Sequence, residues 1–440
     1  MSVTSTAANR QTLSLLRSLY ATPWTALASS AKSACMALLD RLRGGQLTVV
    51  SGTDRRTFGK MDSELAATIT VRNEGFWIRL MFLATIGLGE GYMLGDIDVD
   101  RIDLLLKILI DNRDALSDGA KLLPAGLNSF INTYLFPHIP NSIYNSRANI
   151  SAHYDLGNDM FASFLDPTMT YSCPLWASPD ESLETAQRRK IHRLLDIASI
   201  SEGDHLLEIG TGWGALAIEA ARHYKCRVTT ITLSHEQKLL AEERIRAAGL
   251  ADRITVLLTD YRTLDPADCV YDRIVSVEML EAVGPEYLAT YFETCDRLLK
   301  PNGVMSLQVI TMPEARYQSY LTSMDFIRKH IFPGGHCPSL TAIVEAVNQG
   351  TGGRLMIDTV DNIGPHYAKA LRLWREQFIA NFDNVVAKSD LKHIYTEEFK
   401  RKWEFYFAYC EAGFSSRTLG DLHIRLTRPG NASLIKDIPL

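Results

Sequence analysis

Three features are scarce in this chain: paired cysteines, an excess of basic charge, and long apolar runs. The seven cysteines stand singly along 440 residues, which favours reduced thiols over a disulfide framework or a metal site. Lysine and arginine total 46 against 51 acidic residues, a net charge of −5 that disfavours a nucleic-acid partner. No run reaches the roughly 18–20 apolar residues of a membrane-spanning helix, and the N-terminus lacks a signal-peptide pattern. We therefore expect a cytoplasmic protein without a bound metal.

The first part of the chain predicts a small α+β domain. Residues 10–43 have helical apolar spacing, broken at Pro23, and IDLLLKILIDN (102–112) predicts a further helix. Short apolar runs between turn residues predict three strands, LTVV (47–50), ATITV (67–71) and WIRLMFL (77–83). Proline, asparagine and serine then accumulate without periodicity. We therefore predict an accessory domain over residues 1–135 and a linker over residues 136–150.

The remainder, residues 151–440, alternates between strand and helix patterns, which is typical of a parallel α/β sheet. Strand HLLEIG (205–210) precedes helix ALAIEAARHY (215–224), and the alternation continues to strand VMSLQVI (304–310). Aromatic-rich stretches at 366–382 and 396–411 predict two further helices, and DLHIRLT (421–427) predicts a closing strand. With 46% hydrophobic residues the chain can bury a core in each of two domains. In doubly wound sheets ligands bind at the carboxyl ends of the strands. We therefore predict a Rossmann-like domain with its site on that edge.

A glycine-rich turn in LLEIGTGWGALA (206–217) is the strongest local signal. Glu208 ends the strand, and Gly210, Gly212 and Gly214 then let the backbone approach a ligand closely before a helix begins. The spacing also satisfies a dinucleotide fingerprint, but that reading requires a ribose-binding acid roughly 20 residues on. The next strand ends instead at Thr232, without a carboxylate. The pattern therefore favours a methyltransferase over a dehydrogenase.

Two polar residues near this turn have alternative explanations. Ser234 and Gln237 have the spacing of a capping box, which would explain both as helix-start chemistry. Asp260, which ends a third strand, could cap its own turn. From the residues alone, contact with a cofactor stays open for Gln237 and for Asp260.

A series of motifs gives the chain a family resemblance. They are HYDLGNDMFASFLDPTMTYSC (153–173), EIGTGWG (208–214), TLSHEQ (232–237), DRIVSVEMLEAVG (272–284), FIRKHIFPGGHCPS (326–339), HYAKALRLW (366–374) and YCEAGF (409–414). In this order, over 145–430, they resemble the cyclopropane-fatty-acid synthases and mycolic acid cyclopropane synthases. GLGEGYMLGD (87–96) more weakly resembles the accessory domain of longer members. The resemblance implies an α/β, Rossmann-like class I methyltransferase domain behind a small α+β domain.

The resemblance also implies two groups of site residues. S-adenosylmethionine would contact Tyr171, Ser172, Glu208, Gly210, Gly212, Gly214, Thr232, Gln237, Asp260 and Tyr261. A bound bicarbonate, acting as the base, would lie among the catalytic residues Cys173, Glu281, Gln308, Ile310 and Tyr367. Gln308 stands where many members have histidine, as in a branch that includes plant-type enzymes, and it can still donate a hydrogen bond. Glu278 stays open between a solvated loop group and a functional one.

The activity implied is a methyl transfer from S-adenosylmethionine to the double bond of an unsaturated acyl chain in a phospholipid. Methyl transfer leaves a carbocation, and bicarbonate would remove a proton to close a cyclopropane ring. Methyl or methylene branching of the same double bond without ring closure is the alternative reaction. A non-catalytic lipid-binding protein is the alternative from another class, and intact Glu281 and Tyr367 argue against it.

An acyl substrate requires access to lipid, so we expect peripheral contact with a membrane surface. Leu13, Leu16 and Tyr20, with Arg10 and Arg17, predict an amphipathic helix that could lie on a membrane. The same helix could instead pack on its own domain or in a homodimer, and both alternatives stay open.

Overall fold

The computed structural model describes residues 24–120 and 156–435. Among them, residues 24–120 and Glu397–Phe405 form one compact unit, the N-terminal unit, and the rest form a second, the C-terminal unit. The predicted helix around residues 10–20 and the predicted linker at 136–150 lie outside the described residues. The domain limits at 135 and 151 therefore stay predictions.

The N-terminal unit contains a four-stranded sheet with helices. Its strands are β1 (Gln46–Ser51), β2 (Asp54–Gly59), β3 (Ala66–Val71) and β4 (Ile97–Val99), in the order β2-β1-β3-β4. β1 pairs antiparallel with β2 and parallel with β3, and β3 pairs antiparallel with β4. Its helices cover 24–39, Gly75–Met93, Ile102–Asp111 and Arg113–Ala120. The expectation of a small α+β domain is confirmed.

The strand predicted at WIRLMFL (77–83) is wrong. The segment lies in helix Gly75–Met93, which is 19 residues long and kinked at Ala84. A continuous apolar run does not by itself distinguish a strand from a buried helix, and its length is one criterion that does. The apolar stretch here continues beyond residue 83, so it is too long for a typical strand. The Arg79 side chain also pairs with Asp96 at 2.9 Å, which ties the helix to the loop before β4.

A late segment of the chain belongs to the N-terminal unit. Helix Glu397–Ser415 contributes its first nine residues, Glu397–Phe405, to that unit. Within it, Arg401 pairs with Asp98 at 3.2 Å, and the Tyr92 hydroxyl donates to Glu404 at 2.8 Å. The sequence predicts the helix but gives no sign of which unit its first half joins.

The C-terminal unit is built on a seven-stranded sheet in the order β10-β11-β9-β8-β5-β6-β7. The strands are β5 (His205–Ile209), β6 (Arg227–Thr232), β7 (Ile254–Leu258), β8 (Tyr271–Val277), β9 (Leu299–Thr311), β10 (Met356–Asn362) and β11 (Gly420–Thr427). β5 to β9 pair in parallel, whereas β11 runs antiparallel to both β9 and β10. The predicted Rossmann-like arrangement is confirmed.

Helices cover both faces of this sheet, because side chains along each parallel strand alternate between two apolar layers. Leu207 and Ile209 enter one buried cluster, and Leu206 enters the other. The helices are Asn158–Ala162, Leu183–Ile197, Ala215–His223, His235–Ala247, Leu288–Leu298, Glu314–Leu321, Phe326–His330, Leu340–Thr351, Pro365–Lys388 and the end of Glu397–Ser415. Within the described ranges, no helix combines the length and apolarity needed to cross a bilayer.

Candidate active site

A pocket of about 170 Å³ opens at the carboxyl ends of the parallel strands in the C-terminal unit. The first residue after each of four strands lines it: Gly210 after β5, Leu233 after β6, Thr259 after β7 and Glu278 after β8. Parallel strands bring their carboxyl ends to one edge, so four segments that are distant in sequence converge there. The pocket therefore lies where the sequence predicts it.

The glycine-rich turn forms one wall of this pocket. Gly210 and Gly212 have positive φ angles of 102° and 51°, which favour glycine, and both line the pocket. A Cβ atom built on Gly212 would meet no atom within 4 Å, so the backbone there leaves room for a ligand. Gly214 differs, because it is the N-cap of helix Ala215–His223 and its Cβ would lie 3.3 Å from Ala241. Gly214 therefore has a packing role, outside the pocket lining.

Nine of the ten residues predicted for S-adenosylmethionine line this one pocket, Gly214 being the exception. They are Tyr171, Ser172, Glu208, Gly210, Gly212, Thr232, Gln237, Asp260 and Tyr261. The fold thus brings these residues together, and their contact with a cofactor stays a prediction.

Glu208 is a buried carboxyl group in the pocket lining. Burial raises its pKa to about 8, so it is protonated at neutral pH. Its Oε2 atom has no hydrogen-bond partner in the described part of the chain. Buried polar atoms are nearly always paired in folded proteins. An unpaired carboxyl oxygen beside an open glycine turn fits the hydroxyl or amino group of a bound ligand.

Gln237 and Asp260 make the hydrogen bonds of helix starts and also lie at the pocket, while their contact with a cofactor stays a prediction. The Gln237 backbone N–H donates to Oγ of the helix cap Ser234 at 3.2 Å, while the Gln237 side-chain oxygen accepts from the Thr232 hydroxyl at 2.8 Å. Asp260 caps the 3-10 turn Tyr261–Thr263 and accepts a double hydrogen bond from Arg262. Both side chains nevertheless line the pocket. Capping thus fixes their positions at the pocket wall.

A second set of polar groups lies behind the pocket, centred on Glu278. Its Oε1 accepts from the Cys173 backbone N–H at 2.7 Å and from Gln308 Nε2 at 2.7 Å, and its Oε2 accepts from the Tyr367 hydroxyl at 2.8 Å. Register explains the meeting, since β8 and β9 pair Val277 with Gln308. Burial raises the pKa of Glu278, and the donors oppose that shift.

Gln308 is oriented by two side chains from β11. His423 Nε2 donates to the Gln308 side-chain oxygen at 3.1 Å, and burial lowers the pKa of His423 to about 3, so this imidazole is neutral. The amide nitrogen of Gln308 therefore points the other way, toward Glu278 and toward Asp421 Oδ2 at 2.9 Å. Burial and the neighbouring Glu278 raise the pKa of Asp421 well above its usual range. We infer that Asp421 is the neutral acid of this pair.

Glu281, predicted to hold the anion, lies beside this cluster with a different contact. Its Oε1 accepts from the Ile310 backbone N–H at 2.5 Å, and its Oε2 is buried without a partner in the described ranges. Burial, with a smaller contribution from Glu278, raises its pKa to about 8. Glu281 is therefore a neutral carboxylic acid at pH 7.

The five residues predicted around bicarbonate lie close together, but four of them direct their donors at Glu278 and Glu281. Cys173, Gln308 and Tyr367 donate to Glu278, and Ile310 donates to Glu281. The Cys173 thiol is fully buried, and burial raises its pKa well above the usual value, so its contribution is its backbone N–H. As folded, three of these donors converge on the carboxylate of Glu278 in place of a separate anion.

Four residues of the site escaped the sequence analysis. Gln187 donates to the Ser172 carbonyl at 2.8 Å, and Lys190 donates to Ser172 Oγ at 2.5 Å. These two bonds fix the position of the loop that contains residues 171–173. Both residues are buried on helix Leu183–Ile197 beside Ile191. A glutamine and a lysine three residues apart on an apolar helix face are the signal that could have found them. Asp421 and His423 come from a strand whose neighbours the sequence does not reveal.

Aromatic rings border the same region. Tyr171 lies 5.2 Å from Trp374 between ring centroids, and its hydroxyl bonds to that of Tyr406 at 2.7 Å. Tyr367 packs against Phe414 at 4.6 Å and against Trp374 at 5.8 Å. Aromatic faces stabilise cations. The aromatic wall of the site can therefore stabilise positive charge.

Comparisons with known proteins give consistent results. The profile of the family described as mycolic acid cyclopropane synthetase matches residues 141–424. A tuberculostearic acid methyltransferase of Mycobacterium tuberculosis is 40% identical over 389 residues, covering 86% of this chain and 87% of that protein. The cyclopropane-fatty-acyl-phospholipid synthase of Escherichia coli is 33% identical over 362 residues, covering 80% and 86%.

Solved structures agree with the sequence comparisons. A mycolic acid cyclopropane synthase complexed with SAH and CTAB is 31% identical with a TM-score of 0.58, covering 64% of this chain and 98% of that one. A cyclopropane synthase from Mycobacterium tuberculosis gives 30% identity and the same TM-score and coverage. Profile, relatives and fold agree over the segment that builds the pocket and the Glu278 cluster. The chain belongs to the mycolic acid cyclopropane synthetase family.

Proposed function

We propose that this protein transfers the methyl group of S-adenosylmethionine to the double bond of an unsaturated acyl chain of a phospholipid and closes a cyclopropane ring. The observation that carries the proposal is one pocket, open at a glycine turn, that ends at a buried carboxylate bordered by aromatic rings. Methyl delivery, cation stabilisation and proton removal each need one of these three features.

The pocket at the glycine-rich turn supports S-adenosylmethionine as the cofactor. The open backbone at Gly212 and the unpaired Glu208 oxygen are what a close-fitting polar ligand would complete. The related synthase whose structure contains SAH supports the same cofactor here. When bound, S-adenosylmethionine supplies an electrophilic methyl group.

The protein's own residues supply orientation and a dry environment. An alkene is a weak nucleophile, so it must be held in line with the methyl group and away from water. Tyr171 lines the pocket, and Tyr367 and Trp374 lie beside it, so apolar ring surface surrounds the place where positive charge would develop. Glu278 engages three of the donors expected to hold a bicarbonate ion.

Lipid as the substrate rests on the relatives. The name of the Escherichia coli relative specifies an acyl phospholipid, which supports a phospholipid acyl chain for this protein. A phospholipid substrate requires peripheral contact with a membrane surface. That contact, cytoplasmic location and homodimerisation stay predictions, since the amphipathic segment with Leu13 and Tyr20 lies outside the described residues.

Branching without ring closure is the second candidate function. It is favoured by the 40% identical relative, which is named as a tuberculostearic acid methyltransferase and not as a cyclopropane synthase. The two outcomes share the methyl transfer and differ in how the resulting cation is discharged. The position of the base relative to the new methyl group decides between them.

Lipid analysis of a host that expresses the protein tests the proposal. We expect unsaturated acyl chains to gain one CH2 group by mass spectrometry, with cyclopropane methylene signals at unusually high field in the proton NMR spectrum. Vinyl signals at the same mass gain would favour branching. A host carrying a Gly212→Val variant is the control. An unchanged acyl profile in a host that contains folded protein would contradict both candidates, and would favour a non-catalytic lipid-binding protein.

A further inference from the structure

Glu278 has an unusual backbone conformation. Its φ angle is +47°, in the left-handed region that favours glycine, although it carries a long charged side chain. Strained residues persist where the surroundings hold them, and they cluster at functional sites. The Glu278 backbone N–H donates to the Gln308 carbonyl at 2.8 Å, so the strand register holds the residue in this conformation.

Three donors from distant segments converge on the Glu278 carboxylate. The Cys173 N–H comes from the loop before helix Leu183–Ile197, the Gln308 amide from β9, and the Tyr367 hydroxyl from helix Pro365–Lys388. Such a cradle is what an anion requires in a dry interior, because each donor replaces a water molecule. Lys190 adds positive charge nearby, and neutral His423 holds Gln308 with its donor side toward Glu278.

Glu278 also lines the pocket at the glycine-rich turn, whereas its hydrogen-bond donors Cys173, Gln308 and Tyr367 do not. It shares the pocket wall with Gly210, Tyr171 and Met279. The buried carboxylate thus lies between a set of hydrogen-bond donors behind it and the pocket in front of it. A base that acts on a group delivered through that pocket needs this placement.

We propose that the Glu278 carboxylate is the built-in general base of the reaction, in the position that a bound bicarbonate would otherwise occupy. This inference rests on the proposed function. The alkene electron pair forms the new C–C bond as the C–S bond of S-adenosylmethionine breaks, which leaves S-adenosylhomocysteine and a carbocation. Glu278 then takes a proton from the new methyl group, and the released C–H electron pair closes the ring. The proton leaves to solvent when the pocket empties.

A Glu278→Gly variant tests whether the Glu278 carboxylate or a bound bicarbonate ion acts as the base. Glycine relieves the positive φ angle, so the variant is expected to fold, and it vacates the three donors for a small anion. In carefully degassed, bicarbonate-free buffer we expect its turnover to fall by about 10²–10⁴-fold, the usual contribution of a general base. Added bicarbonate should restore part of that loss. The parent protein should turn over equally with and without bicarbonate.

The control is Ser199→Gly, which removes a positive φ angle of 53° at a position outside the pocket lining. Its turnover should match that of the parent, and stabilisation by S-adenosylhomocysteine should be retained in both variants. Turnover is followed as labelled methyl transfer to vesicles of monounsaturated phospholipid.

Two results would overturn the inference while leaving the proposed function intact. One is a parent enzyme whose methyl transfer depends on added bicarbonate. The other is a Glu278→Gly variant that stays active in bicarbonate-free buffer. A parent that transfers no label to lipid under any condition overturns the proposed function itself, so the two failures are distinguishable.

Discussion

Replacing Gly212 by valine is expected to abolish stabilisation of the protein by S-adenosylmethionine and by S-adenosylhomocysteine. The valine side chain would enter the space that the backbone leaves open to the pocket. For the parent, a ligand at about 100 times its Kd stabilises the folded state by about 2.7 kcal/mol. Thermal unfolding with and without ligand measures this, and the shift in Tm should vanish in the variant.

Gly249→Val provides the matched control for this experiment. Gly249 also has a positive φ angle, 69°, and its Cβ would also meet no atom within 4 Å, but it lies outside the pocket lining. Both variants therefore carry a similar backbone penalty. If Gly212→Val keeps the ligand-dependent shift, or if Gly249→Val loses it, the assignment of the glycine turn to the cofactor is wrong.

Replacing Lys190 by methionine is expected to destabilise the protein by about 3–5 kcal/mol near pH 8, the usual effect of removing one partner from a buried set of charges. Lys190 is buried and interacts electrostatically with Glu208, Glu278 and Asp421, and its ammonium group bonds to Ser172. Without it, the cluster loses a buried cation that favours the ionised form of Glu278. Urea denaturation of parent and variant measures the difference.

The effect of Lys190→Met should grow as the pH rises. Burial raises the pKa of Glu278 and Lys190 opposes that shift, so the variant pays more to ionise this carboxyl above its unfolded pKa. Burial lowers the pKa of Lys190, so the parent is penalised for burying the ammonium at low pH and less so at high pH. Both effects make the variant relatively less stable with increasing pH.

Lys238→Met is the control, since Lys238 is only partly buried and pairs with Glu242 at 3.1 Å on the same helix. We expect a loss of about 1 kcal/mol or less for this pair, with little change across pH. An equally small, pH-independent loss for Lys190→Met would contradict the electrostatic account of the cluster.

The parts of the fold that the sequence predicts are those determined locally. Strand β5, the glycine turn and helix Ala215–His223 follow one another within about 20 residues, so their periodicity and turn chemistry are legible without tertiary information. The motif positions then place nine of the ten cofactor residues at one pocket. The exception, Gly214, shows the limit, because a glycine that packs against Ala241 looks the same in sequence as one that faces a ligand.

The Glu278 cluster depends on register, which the sequence does not reveal. Pairing of β9 with β11 sets His423 opposite Gln308 and Asp421 opposite Ile310. The sequence predicts DLHIRLT as a strand but does not predict which strand it pairs with in the sheet. For this reason the sequence leaves Glu278 undecided and names Glu281 as the functional acid, whereas the structure centres the donors on Glu278.

The proposed reaction is a methyl transfer to an acyl double bond. It is tested most directly by incubating purified protein with trideuteromethyl S-adenosylmethionine and vesicles of monounsaturated phospholipid, then analysing the fatty acids by mass spectrometry and proton NMR. We expect an acyl chain that has gained a ring carbon with two deuteriums and shows no signal from a new double bond. Vesicles of saturated phospholipid should acquire no label. Acyl chains that remain unlabelled, with protein that binds S-adenosylhomocysteine, would contradict the account.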